Sequence, residues 1–148
     1  MGPKGNRKLP IDQFFHRPVA DAMRENTLAA GEIIQAVALP APAAGARSAY
    51  RKLKEKESFD WPLVETCAAF TLSGGAVRGA RVVFGSVAPT PYRSRAAEMV
   101  LEGQAPSEAL AKKAAEAAVA EAKPLAQNAY KVTLARVELE RTLRQAWA

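Results

Sequence analysis

The hydrophobic pattern of this chain changes period once, between Pro89 and Ser94. Before that point apolar side chains tend to recur at every second residue, the spacing of a strand with a covered face. After it they recur every three to four residues, the spacing of an amphipathic helix. Strands that come first and helices that come last do not build an interleaved βαβ array. They select an α+β fold, with helices packed on one face of an antiparallel sheet. No G-x-G-x-x-G stretch is present to support a dinucleotide-binding Rossmann unit.

Three stretches of the first part carry strand character, and a fourth extends weakly. In "EIIQAVALP" both sides are largely apolar, so a strand covered on both faces is expected over Glu32–Pro40, ended by Pro40 and Pro42. Ser48 to Lys54 can extend, with Ala49, Arg51 and Leu53 opposite Tyr50, Lys52 and Lys54. "LVETCAAFTL" sets Val64, Thr66, Ala68, Phe70 and Leu72 on one face. "SGGA" then reads as a hairpin connection, because Gly74 and Gly75 tolerate positive φ. "VRGARVVFGSVAP" returns antiparallel, and its Gly79 and Gly85 mark a bulge or a close neighbour. The intervening "APTPYR" reads as a loop. Further upstream, Pro18 and Gly31 punctuate an irregular stretch.

In the second part Ser94 is a candidate helix cap and Gly103 a stop. "PSEALAKKAAEAAVAEA" is a helix opened by Pro106 and Glu108 and broken by Pro124. "NAYKVTLARVELERTLRQAW" is the last helix. Val132, Ala135, Leu139, Leu143 and Trp147 line one stripe, with Tyr130, Leu134 and Val137 nearly opposite, so its first half is expected to be buried on two sides.

Composition removes several function classes. At 148 residues and 49% hydrophobic, the chain can bury one real core. The single cysteine, Cys67, allows no internal disulfide, and with His16 as the only histidine a zinc site or nucleophilic triad lacks partners. No self-contained catalytic device is expected. No apolar run approaches the roughly 20 residues a membrane span needs. The N-terminal stretch has no apolar h-region, so a cytoplasmic address is expected. The net charge of +6 is scattered and joins no nucleic-acid-binding motif.

Four segments, read in order, carry a resemblance: "ENTLAAGEIIQAVALP", "YRKLKEKESFDWPLVETCAAF", "ARVVFGSVAPTPYRSRAAEMVLEG" and "NAYKVTLAR". Together they resemble the C-terminal domain of the FAD-binding (medium) subunit of the molybdenum hydroxylases. That family includes carbon monoxide dehydrogenase, xanthine dehydrogenase and aldehyde oxidoreductases. The resemblance covers about residues 7–146, and "YRK…SFDWPLV" and "G-x-V-A-P-x-P" are its most specific pieces. It implies a three-stranded antiparallel sheet against a C-terminal helical bundle. Residues 25–148 would form that domain, preceded by a flexible arm over 1–24.

The resemblance also implies a role. In such enzymes electrons pass from a molybdenum centre through iron–sulfur clusters to FAD and on to an acceptor. This domain would close one side of an FAD held mainly by a separate or missing domain, since nothing here resembles the family's Gly-rich FAD domain. It would be an oxidoreductase component in complex with FAD-domain, iron–sulfur and molybdopterin partners. A non-catalytic interaction or scaffold domain that has lost flavin binding is the alternative.

The cofactor-binding candidates are Lys52, Ile34, Asp60 and Trp61. Lys52 matches a lysine that contacts flavin in some members, and an ammonium there would stabilise negative charge on the cofactor. A solvated lysine guarding a sheet edge is the competing role. Ile34 aligns with a residue near the flavin, although a core position is the simpler reading. Asp60 can cap the amides that follow it and so fix the turn into the next strand. Trp61 can stack on a flavin, or anchor the domain edge by packing. Arg93 and Arg95, at the start of a helix, could meet a phosphate or a partner surface. Cys67 reads as a small buried hydrophobe.

Overall fold

Gly74 and Gly75 set the sheet. Both take positive φ, 58° and 76°, the backbone of a two-residue hairpin turn. They join two ten-residue strands, β2 (Val64–Ser73) and β3 (Ala76–Gly85), which pair antiparallel with Ser73 opposite Ala76 and Glu65 opposite Gly85. On the other side of β2 lies β1 (Ala46–Leu53), antiparallel, with Tyr50 opposite Cys67 and Lys52 opposite Glu65. These elements come from a computed structural model, which describes residues 1–17 and 23–148 as two units, Met1–Ala41 and Pro42–Ala148. Pro18 lies outside the described residues.

The sheet has four strands in the order β1-β2-β3-β4, not the three implied by the resemblance. The addition is β4, only Tyr92–Arg93, too short for its pattern to announce a strand. Its pairing with Phe84 and Val83 is short, but the Glu98 carboxylate pins it. That carboxylate accepts from the Val82 amide at 3.1 Å and from Arg93 Nε at 2.6 Å, joining β3 to β4.

One face of the sheet is buried under helices. Val64, Thr66, Ala68 and Phe70 of β2 are all at most 4% exposed, matching the alternation in the sequence. On β3 the alternation slips. Val77 and Ala80 are both buried, because an extra residue bulges the strand where Ala69–Thr71 faces Arg78–Arg81. Gly79, at φ 62°, takes the bulge's left-handed position and donates its amide to Glu102 Oε2.

Three helices lie on that side: α1 (Arg95–Leu101), which packs on β3, α3 (Tyr130–Trp147), which packs on β1 and β2, and α2 (Glu108–Val119), which packs on the other two. Ser94 caps α1 by accepting from the Ala97 amide, as expected, and Ser107 caps α2 by accepting from the Leu110 amide. Phe84, Leu101, Leu139 and Leu143 are fully buried between the layers. Each contributes roughly 1.5–3 kcal/mol relative to the exposed side chain.

The buried stripe of α3 also holds polar residues that its apolar pattern did not announce, Glu138 and Thr142. Glu138 accepts from Arg51 Nε of β1 and from Arg141, both at 2.9 Å. The hydroxyls of Thr66 and Thr142 bond each other beneath β2. Thus α3 is fixed in register on the sheet by hydrogen bonds as well as by leucines. The expectation of burial on two sides fails at Tyr130, which is exposed, and Leu134 and Val137 are only half-buried.

The Met1–Ala41 unit has a different construction. Among the described residues it contains one short 3-10 turn (Ile11–Gln13) and two isolated bridges, Gly2 with Gly5 and Phe15 with Asn26. Arg7 makes two hydrogen bonds to the Glu32 carboxylate, at 2.8 and 2.7 Å, and a third to the Thr27 carbonyl. The expected strand over Glu32–Pro40 does not form. Ile33, Ile34, Val37 and Leu39 are 58–84% exposed. Apart from Ile33, which pairs with Met1, the segment has no ladder partner among the described residues. An extended segment without a partner strand leaves its amides to water and its apolar side chains uncovered. Among the described residues, no helix is long and apolar enough to cross a membrane.

Candidate functional site

The face of the sheet turned away from the helices carries the polar and chemically active groups. Strand alternation puts Tyr50 and Lys52 of β1 and Glu65 and Cys67 of β2 there, beside Val83 and Gly85 of β3. Because β1 is an edge strand, Lys52 stands at the rim of this face, exposed. Glu65 lies directly across from it.

Glu65 is the hub of the group. Its Oε1 accepts from the Tyr50 hydroxyl and its Oε2 from Ser86 Oγ at 3.2 Å. The hydrogen bond to Glu65 pushes the Tyr50 phenol up to about 12, because ionising it would put a second negative charge beside the carboxylate. Gly85 makes room for this arrangement, since a Cβ at that position would sit 2.5 Å from Glu65 Oε2. Beyond the hub, Lys131 Nζ of α3 donates to the Ser86 carbonyl at 2.7 Å. A polar line therefore runs from Tyr50 through Glu65 and Ser86 to Lys131. Sequence reading missed Tyr50, Glu65, Ser86 and Lys131. The one available signal was Glu65, a carboxylate in an otherwise apolar strand facing a strand that ends in glycine.

The β1–β2 connection, Lys54–Leu63, is a charged loop ending in "SFDWP". Its base is closed by the Leu63 amide donating to the Leu53 carbonyl at 2.8 Å, and Lys54 Nζ donates to the Ser58 carbonyl. Asp60 accepts from the Trp61 amide at 2.9 Å, the turn-fixing role expected of it. Trp61 is 89% exposed and Phe59 fully so. The packing-anchor reading of Trp61 is thus overturned within this chain. The indole is offered outward.

Lys52, Asp60 and Trp61 therefore fall on one hairpin. Ile34 belongs to the Met1–Ala41 unit and is 58% exposed, so its expected core position is corrected. Arg93 is not free to meet a phosphate, and Arg95, largely exposed, leans on the same carboxylate at 3.4 Å. Both donate to Glu98 in the first turn of α1, Arg93 through two bonds at 2.6 and 2.9 Å. Cys67 is half-buried rather than buried, and burial pushes its thiol up, away from the thiolate form. Among the described residues no three His, Cys, Asp or Glu side chains group to hold a metal.

The model of the carbon monoxide dehydrogenase flavoprotein C-terminal domain matches residues 23–146. The chain belongs to this family. Like its relatives it is a flavoprotein-subunit domain of the molybdenum hydroxylases. It is 34% identical over 99% of its length to the carbon monoxide dehydrogenase medium chain of Hydrogenophaga pseudoflava, covering 50% of that protein. It is 34% identical to the aldehyde oxidoreductase FAD-binding subunit PaoB of Escherichia coli (strain K12), covering 99% of this chain and 43% of that one. The chain thus spans about half the length of the curated relatives it matches. Among solved structures, carbon monoxide dehydrogenase from Hydrogenophaga pseudoflava lacking the Mo-pyranopterin moiety superposes with a TM-score of 0.68 at 37% identity. That match covers 74% of this chain and 39% of the other.

The flavin implied by the family can be tested against these residues. An exposed ammonium at Lys52 and two outward aromatic rings on the adjoining loop suit one side of a flat, electron-accepting ring system. A stack of backbone amides to cradle a pyrophosphate is not found on this hairpin. The residues fit a wall of a flavin site.

Proposed function

We propose that this domain closes one side of an FAD held mainly by a separate domain, and so assists electron transfer from iron–sulfur clusters through FAD to an acceptor. Residues 25–148 form the closing domain, with 1–24 an arm ahead of it. The partners are the FAD-domain, iron–sulfur and molybdopterin components of one enzyme. The flavin, when bound, supplies the redox chemistry. This chain supplies position and charge.

The observation that carries the reading is Lys52. It is exposed on an edge strand beside a loop that presents Trp61, at the place where the family resemblance puts a flavin contact. Its ammonium would favour the anionic forms of the isoalloxazine, while Glu65 across the strand is taken up by Tyr50 and Ser86. Trp61 would cover ring surface, with Asp60 fixing the turn that aims it.

The test is co-expression with the polypeptides encoded beside it, followed by flavin absorbance of the purified assembly. Lys52→Met keeps the stem and removes the charge, and should weaken flavin retention roughly tenfold, the worth of one charge-assisted contact. A complex that forms with full flavin affinity in the Lys52→Met and Trp61→Ala variants would instead support a scaffold domain. A chain that ignores those neighbours and stays colourless would remove both the flavin role and the partners.

A further inference from the structure

The other side of the same sheet end holds a cavity of about 1060 Å³. It opens between Ser86–Ala88, the end of α2, the α2–α3 connection and the first turns of α3. That is at the upper end of sites that take drug-sized molecules. Its walls divide by chemistry. Val119 and Val132 make an apolar floor, and exposed Tyr92 stands beside them, backed by the buried Phe84 ring at 6.2 Å between centroids and a tilt of 41°. Lys123 and Lys131 stand on the lining, against one carboxylate, Glu121.

Among the described residues neither lysine forms an ion pair. Lys131 donates only to the neutral Ser86 carbonyl, which leaves donors for a ligand. Ser86 itself is held at φ 62°, a conformation that costs a non-glycine residue energy. It is fixed from both sides, its Oγ on Glu65 and its carbonyl under Lys131. Such strain, tightly fixed at a cavity mouth, is typical of ligand clamps.

We propose that this groove binds a flat aromatic acid, with its ring against Tyr92, Val119 and Val132 and its carboxylate at Lys131 Nζ. Two lysines against one glutamate select an anion. A compact ammonium beside an apolar floor suits a single carboxylate rather than the forked recognition an arginine would give. The groove opens on the opposite face of the sheet from Lys52, joined to that side only through Ser86 and Glu65, and its binding does not require a flavin.

The test uses the full chain, labelled with ¹⁵N and titrated with 2-naphthoate. The neutral isostere 2-naphthamide is the comparison. Amide shifts with naphthoate should be confined to residues 84–92 and 118–135, and affinity should fall with added salt. Naphthamide should bind roughly tenfold more weakly. Lys131→Met should weaken naphthoate to the level of naphthamide and leave naphthamide unchanged. Ala122→Trp, at an exposed position of the lining, should fill the groove and abolish both without moving the thermal midpoint. Shifts centred on Tyr50–Cys67, equal binding of acid and amide, binding that survives Ala122→Trp, or no saturable shift would each overturn the proposal.

Discussion

Two apolar stretches of similar composition meet opposite fates. "LVETCAAFTL" becomes the central strand β2, with Val64, Thr66 and Ala68 wholly buried. "EIIQAVALP" stays irregular, with Leu39 84% exposed. β2 is paired on both sides, by β1 and β3, and α3 lies across it. Its helix-facing positions meet the leucines of α3, while its other face keeps a carboxylate, a thiol and a threonine. Glu32–Pro40 has neither a partner strand nor a covering helix among the described residues. Hydrophobicity recruits a segment to a core only where a second layer is available to cover it.

The sharpest break of this comparison is to truncate one residue of each kind. Leu139→Ala, in the layer above β2, should destabilise by about 2–5 kcal/mol, through lost transfer energy and the cavity left behind. Ile34→Ala should change stability by less than ~0.5 kcal/mol. Urea unfolding followed by circular dichroism measures both. A loss above ~1 kcal/mol from Ile34→Ala would show that the exposed stretch is packed in solution.

A smaller effect separates polar from apolar burial. Glu98 is 7% exposed and takes hydrogen bonds from Arg93, Arg95 and the Val82 amide. Glu98→Gln should cost about 1–3 kcal/mol, because it removes the counter-charge of Arg93 and replaces the Oε2 acceptor of Arg93 and Arg95 by a donor, while the amide oxygen can still accept from Val82 and Arg93 Nε. Burial works to raise the Glu98 carboxyl, but Arg93, the Val82 amide and Arg95 outweigh it and hold it below the usual 4.5. A group depressed in the folded state stabilises above its unfolded value and loses that contribution as pH falls through the folded value. Stability should therefore decline on acidification below about pH 4.5 in the wild type, with part of that slope missing in Glu98→Gln.

These pairs also mark what was legible in the sequence. Period placed β2 and, with caps and stops, the three helices, while glycine chemistry marked the turn at Gly74-Gly75 and offered Gly79 as a bulge or a close neighbour. Both succeed because each of those residues answers to its nearest neighbours. β4 was not legible, because its two residues are held by Glu98, five and six residues on. The strand expected over Glu32–Pro40 failed for a related reason. Pattern reports which side chains could be covered, not whether a partner exists. At the candidate site, Lys52, Asp60 and Trp61 came from resemblance and loop chemistry and fell on one hairpin. Glu65, Ser86 and Lys131 were hidden because their bonds join positions 21 and 45 residues apart.

The smallest expected effect tests the polar construction of the Met1–Ala41 unit. The Arg7 guanidinium, with the Ala29 amide, draws the Glu32 carboxyl down to about 2. The sign matches that of Glu98: the contact is intact above the ordinary 4.5 and is lost as pH falls toward 2. Arg7→Met should return Glu32 most of the way to the ordinary range, read by carboxyl-carbon NMR titration. The unfolding midpoint of Pro42–Ala148 should stay in place, since Glu32 is solvent-accessible and the pair is screened by water. If instead that midpoint moved with Arg7→Met, the first 41 residues would contribute to the stability of the sheet and helices. The contrast between the two apolar stretches would then be one of timing in a shared fold rather than of construction.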